Sequence, residues 1–340
     1  MGAEVALSEQ TEEGQERRCF AVFDGTRGTV SLADLSAALL ERQKKTWPGL
    51  AGGYEAMAEA GLREIRGDGW GVKLQFNPRR IVSSGAQVDP ETIRLRRCFL
   101  CPDHLPPEQQ AILYRDDYLV LCNPMPIFPG HLTIAHRRHL PQSLPENMLT
   151  FLRLAVDFGP RMTLFYNGPR AGASAPDHLH FQAAPAGLMP VEKEILDPQK
   201  RTGARRLDCV KICRTAGLAR GILVIEGQEG GSVAAVVGNV IGLLGRQATS
   251  AGEPLLNIFC TRTGEGWRLL LFPRRRHRPD AYFREGEERL LISPGAVDMG
   301  GMIITPREKE FHALTPDLVL GIFREVAFDD AAVDALLDLL

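Results

Sequence analysis

Residues 167–182, NGPRAGASAPDHLHFQ, constrain this chain more than any other stretch. The run His178, Leu179, His180, Phe181, Gln182 alternates polar and apolar side chains. Such a run reads as a strand, because successive side chains of an extended backbone point to opposite faces. Leu179 and Phe181 then turn to a core, while His178, His180 and Gln182 share the other face. Two imidazoles and a carboxamide on one face are costly to bury without partners. The preceding loop is built from small residues, Gly168, Ala171, Gly172, Ala173 and Ser174, whose backbone N–H groups can approach an anion closely. An imidazole beside such a loop suits nucleophilic attack at phosphorus, since neutral histidine attacks near pH 7 and leaves again readily. A half-exposed strand beside an ordinary loop would explain a lone histidine, but not two with a glutamine in alternation.

Around this segment the pattern predicts an α+β fold. A capping box, Ser31 to Asp34, opens a helix over LADLSAALLERQKK. A second helical stretch covers GGYEAMAEAGLREI, and residues 1–28 read as polar and frayed. Val72–Phe76 and Arg80–Ser83 read as strands around Asn77-Pro78. Tyr118–Cys122 and His131–Ala135 are strands joined by NPMPIFPG, whose prolines and glycine set a wide turn. Ser143–Val156 has helical periodicity, and Met162–Tyr166 and Leu179–Ala183 are two more strands. The middle of the chain is therefore a mostly antiparallel sheet with packed helices. The second half repeats this grammar: strand Gly221–Ile225, helix Ser232–Gln247, hairpin Asn257–Thr261 with Arg268–Phe272, strand Gly301–Thr305, and a helix begun by Thr315 with Pro316 at its first position. Arg-Arg-His follows a core strand in both halves, at Ile134–Pro141 and Leu271–Pro279. That echo predicts two related half-domains with His139 and His277 in equivalent positions. The expected division is a helical extension over 1–70, a catalytic half over 71–200 and a degenerate half over 201–340.

Cys98-Phe99-Leu100-Cys101 is half of a metal site or a redox pair. Pro102, Pro106 and Pro107 argue against the helix that a redox pair usually opens. With no second Cys-x-x-Cys, histidines must complete a zinc site, and His104, His131, His136, His139 and His178 are the candidates. Cys209 and Cys213 stand at helical spacing and read as core. Seven cysteines in a chain that reads as cytoplasmic argue against a disulfide framework.

Composition removes several classes of function. Forty basic against 42 acidic residues leave a net charge of −2, so nothing marks the chain for nucleic acid or an anionic membrane. The N-terminus lacks the basic and apolar regions of a secretory signal. Val233–Gly245 is too short to span a bilayer and reads as a buried helix.

The loop and strand NGPRAGASAPDHLHFQ resemble the signature of the histidine triad superfamily, in its galactose-1-phosphate uridylyltransferase-like branch. Triad proteins carry His-x-His-x-His; the transferase and phosphorylase branch carries His-x-His-x-Gln, as here. HLHFQA looks most like the GDP-hexose phosphorylases. The segment YRDDYLVLCNPMPIFPGHLTIAHRRH is similar to the superfamily's strand, PGH loop and Arg-Arg-His. FCTRTGEGWRLLLFPRRRH and GAVDMGGMIITP resemble the second half of nucleoside polyphosphate phosphorylases.

The resemblance implies a histidine-triad-like fold and assigns roles by position. His180 becomes the nucleophile, and Gln182 holds a non-bridging phosphate oxygen. Asn167, Gly172 and Ser174 contact the substrate, with Arg79, Arg80 or Arg170 compensating its charge. A structural zinc falls to Cys98, Cys101, His139 and His178. Two departures stand out: Asp177 is inserted before His178, and Leu121 replaces an acidic residue that bonds the ribose. The implied activity is nucleotidyl transfer or phosphorolysis through a nucleotidyl-histidine. A nucleotide hydrolase and a non-catalytic nucleotide-binding zinc protein are the competing readings. Expected partners are a nucleotide with phosphate or a sugar phosphate, and a second copy in a homodimer.

Overall fold

Short apolar runs, punctuated by turn formers and buried on both faces, make the core of this chain a sheet. The computed structural model describes residues 18–25, 30–85, 88–248 and 252–340. Its strands are β1 (Cys19–Phe23), β2 (Gly61–Arg66), β3 (Gly71–Phe76), β4 (Ala111–Tyr114), β5 (Tyr118–Cys122), β6 (Leu132–His136), β7 (Met162–Asn167), β8 (His180–Pro185), β9 (Arg201–Leu207), β10 (Val210–Thr215), β11 (Leu223–Gly227), β12 (Leu256–Thr263), β13 (Gly266–Pro273) and β14 (Met302–Thr305). The longer helices are α1 (Leu32–Thr46), α2 (Pro48–Ala58), α3 (Met148–Phe158), α4 (Gly230–Gln247), α5 (Pro316–Val326) and α6 (Asp330–Asp338).

Eleven strands form one sheet in the order β1-β4-β5-β6-β8-β7-β12-β13-β11-β10-β9. From the central β7–β12 pair outward, the two sides run β7, β8, β6, β5, β4 and β12, β13, β11, β10, β9. Each side is two hairpin steps, a helix (α3 or α4) and a returning strand pair. The chain is thus two half-domains of one topology, joined by antiparallel pairing of β7 with β12. Among the described residues only β1 against β4 runs parallel in this sheet. A small second sheet, β14-β3-β2, covers part of one face.

Side-chain alternation splits the core in two. Leu179, Phe181, Leu164 and Tyr166 face α1, α3 and α4, together with Val237 and Ile258. Phe165, Ala184 and Phe259 face the other way, against β3, β14 and α5 residues such as Leu74, Ile303 and Phe323. The functional strand β8 therefore turns His180 and Gln182 toward this second layer.

Several sequence expectations need correction. Arg80–Ser83 is helical: Pro78 opens a 3-10 turn over Pro78–Arg80 that runs into a short helix, Ile81–Ser84, because proline at a first helical position has φ already set and no donor to lose. LREI belongs to β2, not to the preceding helix, which ends at Ala58. Segment 1–70 contributes β1 and β2 as well as its two helices; of the stretch read as frayed, residues 1–17 and 26–28 lie outside the described residues. Cys209 sits exposed in the tight β9–β10 turn and only Cys213 is buried, on β10. That hairpin escapes periodicity because β9 is an edge strand, exposed along most of its length. Finally, His139 and His277 are not equivalent. Arg-Arg-His follows β6 in the first half but β13 in the second, and β13 corresponds to β8.

Candidate functional site

The β7–β8 pair carries the site. Its ladder ends at Phe165 opposite Gln182, and the strands part beyond it. Gln142 fills the gap: its side-chain Nε2 donates to the carbonyls of Asn167 (2.9 Å) and His180 (3.1 Å), and its Oε1 accepts the His180 N–H at 2.8 Å. A side chain thus takes the place of a ladder rung and holds β8 where His180 emerges.

His180 is buried, and its Nδ1 lies 2.8 Å from the His178 carbonyl. A carbonyl only accepts, so Nδ1 carries the proton and Nε2 keeps its lone pair. Burial lowers its pKa to about 4, leaving the imidazole neutral at pH 7. Gln182 is oriented by a neighbour. The Ile127 N–H donates to His131 Nδ1 at 3.3 Å, so His131 Nε2 holds the proton and donates to Gln182 Oε1 at 2.8 Å. The Gln182 amide nitrogen is left to offer both of its donors elsewhere.

A small cleft, open to solvent, lies over Gln182. Asn167, Gly172, Ala173, Ser174 and Arg80 line it from the first half; His277, Arg278, Ser293 and the 295–298 turn line it from the second. His180 is not among the lining residues; it lies two positions from Gln182 on the same strand face, roughly 6.8 Å along the strand. Gly172 (φ +100°) touches the second half: a Cβ there would stand 2.6 Å from Gly295 Cα. Asn167 ties the same seam, its Oδ1 accepting from Asn257 Nδ2 (3.0 Å) and the Ala296 N–H (2.7 Å). Of the three arginines expected here only Arg80 reaches the cavity. Arg79 lies against Gly52 on α2, and Arg170 donates to the Glu253 carbonyl at 3.0 Å.

Cys98, Cys101, His139 and His178 converge with all four donor atoms within 4.8 Å of one another. Cys98 Sγ is 3.3 Å from His178 Nδ1, and Cys101 Sγ is 3.2 Å from His139 Nδ1 and 3.6 Å from His178 Nδ1. Bonds of about 2.0–2.3 Å to a tetrahedral zinc give edges of roughly 3.3–3.8 Å, so this donor set fits such an ion. His178 Nε2 donates to the His136 carbonyl at 2.7 Å, which turns Nδ1 toward the thiols. Asp177, the inserted residue, accepts from Arg96 at 2.5 Å and stands 3.6 Å from His139 Nε2. The other histidines considered have different work: His104 meets the Cys98 carbonyl, His136 the Arg138 backbone, and His131 orients Gln182.

The sequence alone did not reveal Gln142, the orienting role of His131, or that the second-half segments PRRRH and GAVDM wall the same site. His131 and those segments stand out as motifs; Gln142 and Ser293 carry no local signal.

A His-x-His-x-Gln strand after a small-residue loop, set in a half-domain repeated across one continuous sheet, defines a histidine-triad fold. Residues 39–185 match the family described as Domain of unknown function (DUF4922), and residues 191–339 match GDPGP1-like, C-terminal domain. No curated protein sequence matches. The structure of yeast Ap4A phosphorylase Apa2 is similar with a TM-score of 0.57 and 15% identity, over 86% of this chain and 93% of that one. The same yeast enzyme in complex with AMP gives 0.55 and 14%, covering 85% and 96%, and in complex with Ap4A 0.52 and 14%, covering 83% and 97%. The chain thus shares the fold of the yeast Ap4A phosphorylase structures, and its C-terminal part matches a GDPGP1-like domain, in line with the branch that its motifs resemble.

Proposed function

We propose that this chain is a nucleotidyltransferase of phosphorylase type, acting on a nucleoside diphosphate sugar or a dinucleoside polyphosphate. The observation that carries the reading is the His180 tautomer: Nδ1–H is committed to the His178 carbonyl, so the nucleophilic lone pair is on Nε2. His180 Nε2 attacks the α-phosphorus and forms an N–P bond. The P–O bond to the leaving group breaks, and its electron pair departs on a phosphate oxygen. Inorganic phosphate then attacks the same phosphorus, the N–P bond breaks, and the pair returns to Nε2. Gln182, the backbone of 172–174 and Arg80 compensate the developing charge. Gln182 can donate a hydrogen bond to a phosphate oxygen but cannot give up a proton, which favours a phosphate leaving group over hydrolysis with a poorer one. Likeness to an Ap4A phosphorylase and to a GDPGP1-like domain supports the same substrate classes.

Zinc is proposed on Cys98, Cys101, His139 and His178, where it would add rigidity to the segment before the nucleophile. His178 links the two sites, because its ring lies in the cluster and its carbonyl sets the His180 tautomer.

The test is a screen of nucleoside diphosphate sugars and dinucleoside polyphosphates with phosphate as acceptor, followed by trapping of labelled nucleotide on the protein. An acid-labile adduct, absent in His180→Ala, is expected, with product formation dependent on phosphate. Substantial turnover by His180→Ala on a verified substrate would overturn the covalent route, and phosphate-independent turnover would favour a hydrolase.

A further inference from the structure

The cavity wall facing Gln182 is made of second-half residues that the reaction above leaves unused. Ser293 Oγ accepts from Arg278 Nε at 2.9 Å and lies 3.2 Å from His277 Nε2. Burial, with Arg278 and Arg274 nearby, holds His277 neutral, its pKa lowered to about 3. The hydroxyl thus bridges guanidinium and ring, and when the His277 proton is on Nε2 both donate to it and its own proton is free to turn to an anion. The Arg278 guanidinium also stacks on Tyr282, 4.1 Å from the ring centroid, which fixes its plane.

This wall is rigidly backed. Arg274 is buried and donates to the Val326 carbonyl, to Asn257 Oδ1 and the Pro294 carbonyl, and to the Arg276 and His277 carbonyls. It so binds the turn bearing His277 and Arg278 to the loop bearing Ser293. The carboxylate lining the cavity, Asp298, has both oxygens engaged by the Gly295 and Ile304 N–H groups. Arg80, opposite, has an Nε with no partner among the described residues. Among the described residues the lining brings the Arg80 and Arg278 guanidiniums to one cleft whose carboxylate, Asp298, is held by backbone donors, chemistry suited to an anion.

We propose that Arg278, with Ser293 and His277, forms a second anion subsite that holds first the phosphate leaving the α-phosphorus and then the inorganic phosphate attacking it. This rests on the proposed function: the second step reverses the geometry of the first at one phosphorus, so a single place serves both oxyanions. The half without the nucleophile strand thereby supplies the leaving-group end of the site.

Calorimetric titration of inorganic phosphate into the full-length, substrate-free protein tests the subsite directly. Arg278→Met should weaken phosphate binding tenfold or more, and Arg278→Lys should recover part of the loss. Ser293→Ala, a smaller change that serves if Arg278→Met does not fold, should weaken it several-fold. His180→Ala should bind phosphate within about threefold of wild type. Absence of saturable binding by wild type, or unchanged affinity in folded Arg278→Met and Ser293→Ala, would overturn the subsite. Arg278-dependent binding with no nucleotide trapped on His180 would keep the subsite and remove the covalent reading; a trapped adduct with Arg278-independent binding would do the reverse.

Discussion

His131 decides what Gln182 can do. An amide side chain has an acceptor end and a donor end, and His131 occupies the acceptor. In the proposed reaction Gln182 therefore meets a phosphate oxygen as a donor. Replacing it with alanine removes a hydrogen bond to a charged group, worth roughly 1.5–3 kcal/mol. The expected loss is about ten- to hundred-fold in kcat/KM on a verified substrate, against complete loss of the adduct in His180→Ala. Equal damage from both would show that Gln182 does more than hold an oxygen. Gly172 is constrained differently. Its positive φ and the 2.6 Å approach of a would-be Cβ to Gly295 leave no room for a side chain. Gly172→Ala should lower the melting temperature by several degrees, since a strained backbone of this kind costs on the order of 1–3 kcal/mol. An unchanged melting temperature would mean the two loops part freely.

Strand β8 is held from two sides, by Gln142 at its start and by the Cys/His cluster just before it. Gln142→Ala would strip partners from the buried His180 N–H and from two carbonyls. Each unpaired buried group costs about 1–3 kcal/mol, so with three groups affected chemical denaturation should show a loss of roughly 3 kcal/mol or more. Gln142→Glu keeps the acceptor but turns a carboxylate oxygen toward two carbonyls in a buried place, and should cost at least as much. The cluster makes its own prediction. Metal analysis of purified protein should find about one zinc per chain. Cys98→Ser should lower metal content and thermal stability together, because an ion bound only in the folded state stabilises that state. Full zinc occupancy in a Cys98/Cys101 double variant would end the assignment.

Across the whole molecule, two similar half-domains have become unlike in use. β13 stands where β8 stands in the first half, yet GWRLLLFP carries no histidine, and the arginine-rich turn after it closes over the first half's site. Glu253 helps hold the halves together. Its carboxylate accepts the Leu144 N–H at 2.7 Å and the Tyr166 hydroxyl at 3.0 and 3.1 Å. Burial raises its pKa to about 7, against the lowering effect of those bonds and of Arg170. The folded state therefore holds this proton between about pH 4.5 and 7 where the unfolded chain has released it. The associated stability is present below about pH 4.5 and is lost as pH rises through about 7, by at most about 1.4 kcal/mol per pH unit. Glu253→Gln should accordingly gain in melting temperature relative to wild type between pH 5 and pH 8. A constant difference across that range would show that the carboxyl titrates alike in both states. Among the described residues no helix is long and apolar enough to cross a membrane.

The local sequence determined the pieces. Short apolar runs made β5 and β7 legible and alternation made β8 so, Ser31 and Asp34 marked the start of α1, and the run HLHFQ placed His180 and Gln182 on one face before any fold was known. With the superfamily resemblance, Cys98, Cys101, His139 and His178 could be grouped, because the motif preserves what the spacing alone left open among five histidines. The tertiary structure decided everything that depends on pairing between distant segments. Gln142 serves a splayed rung only because β7 and β8 part where they do. Arg80 reaches the cavity while Arg79 and Arg170 do not, because neighbouring or similar residues diverge once backbone direction is set. The true correspondence of the halves follows from strand order, which a short Arg-Arg-His echo could not reveal. His277, Arg278 and Ser293 join the site from more than a hundred residues away in sequence from Asn167, carried there by the β7–β12 pairing. No local pattern encodes such a contact, since it is the hydrogen-bonded register of the whole sheet that brings those loops together.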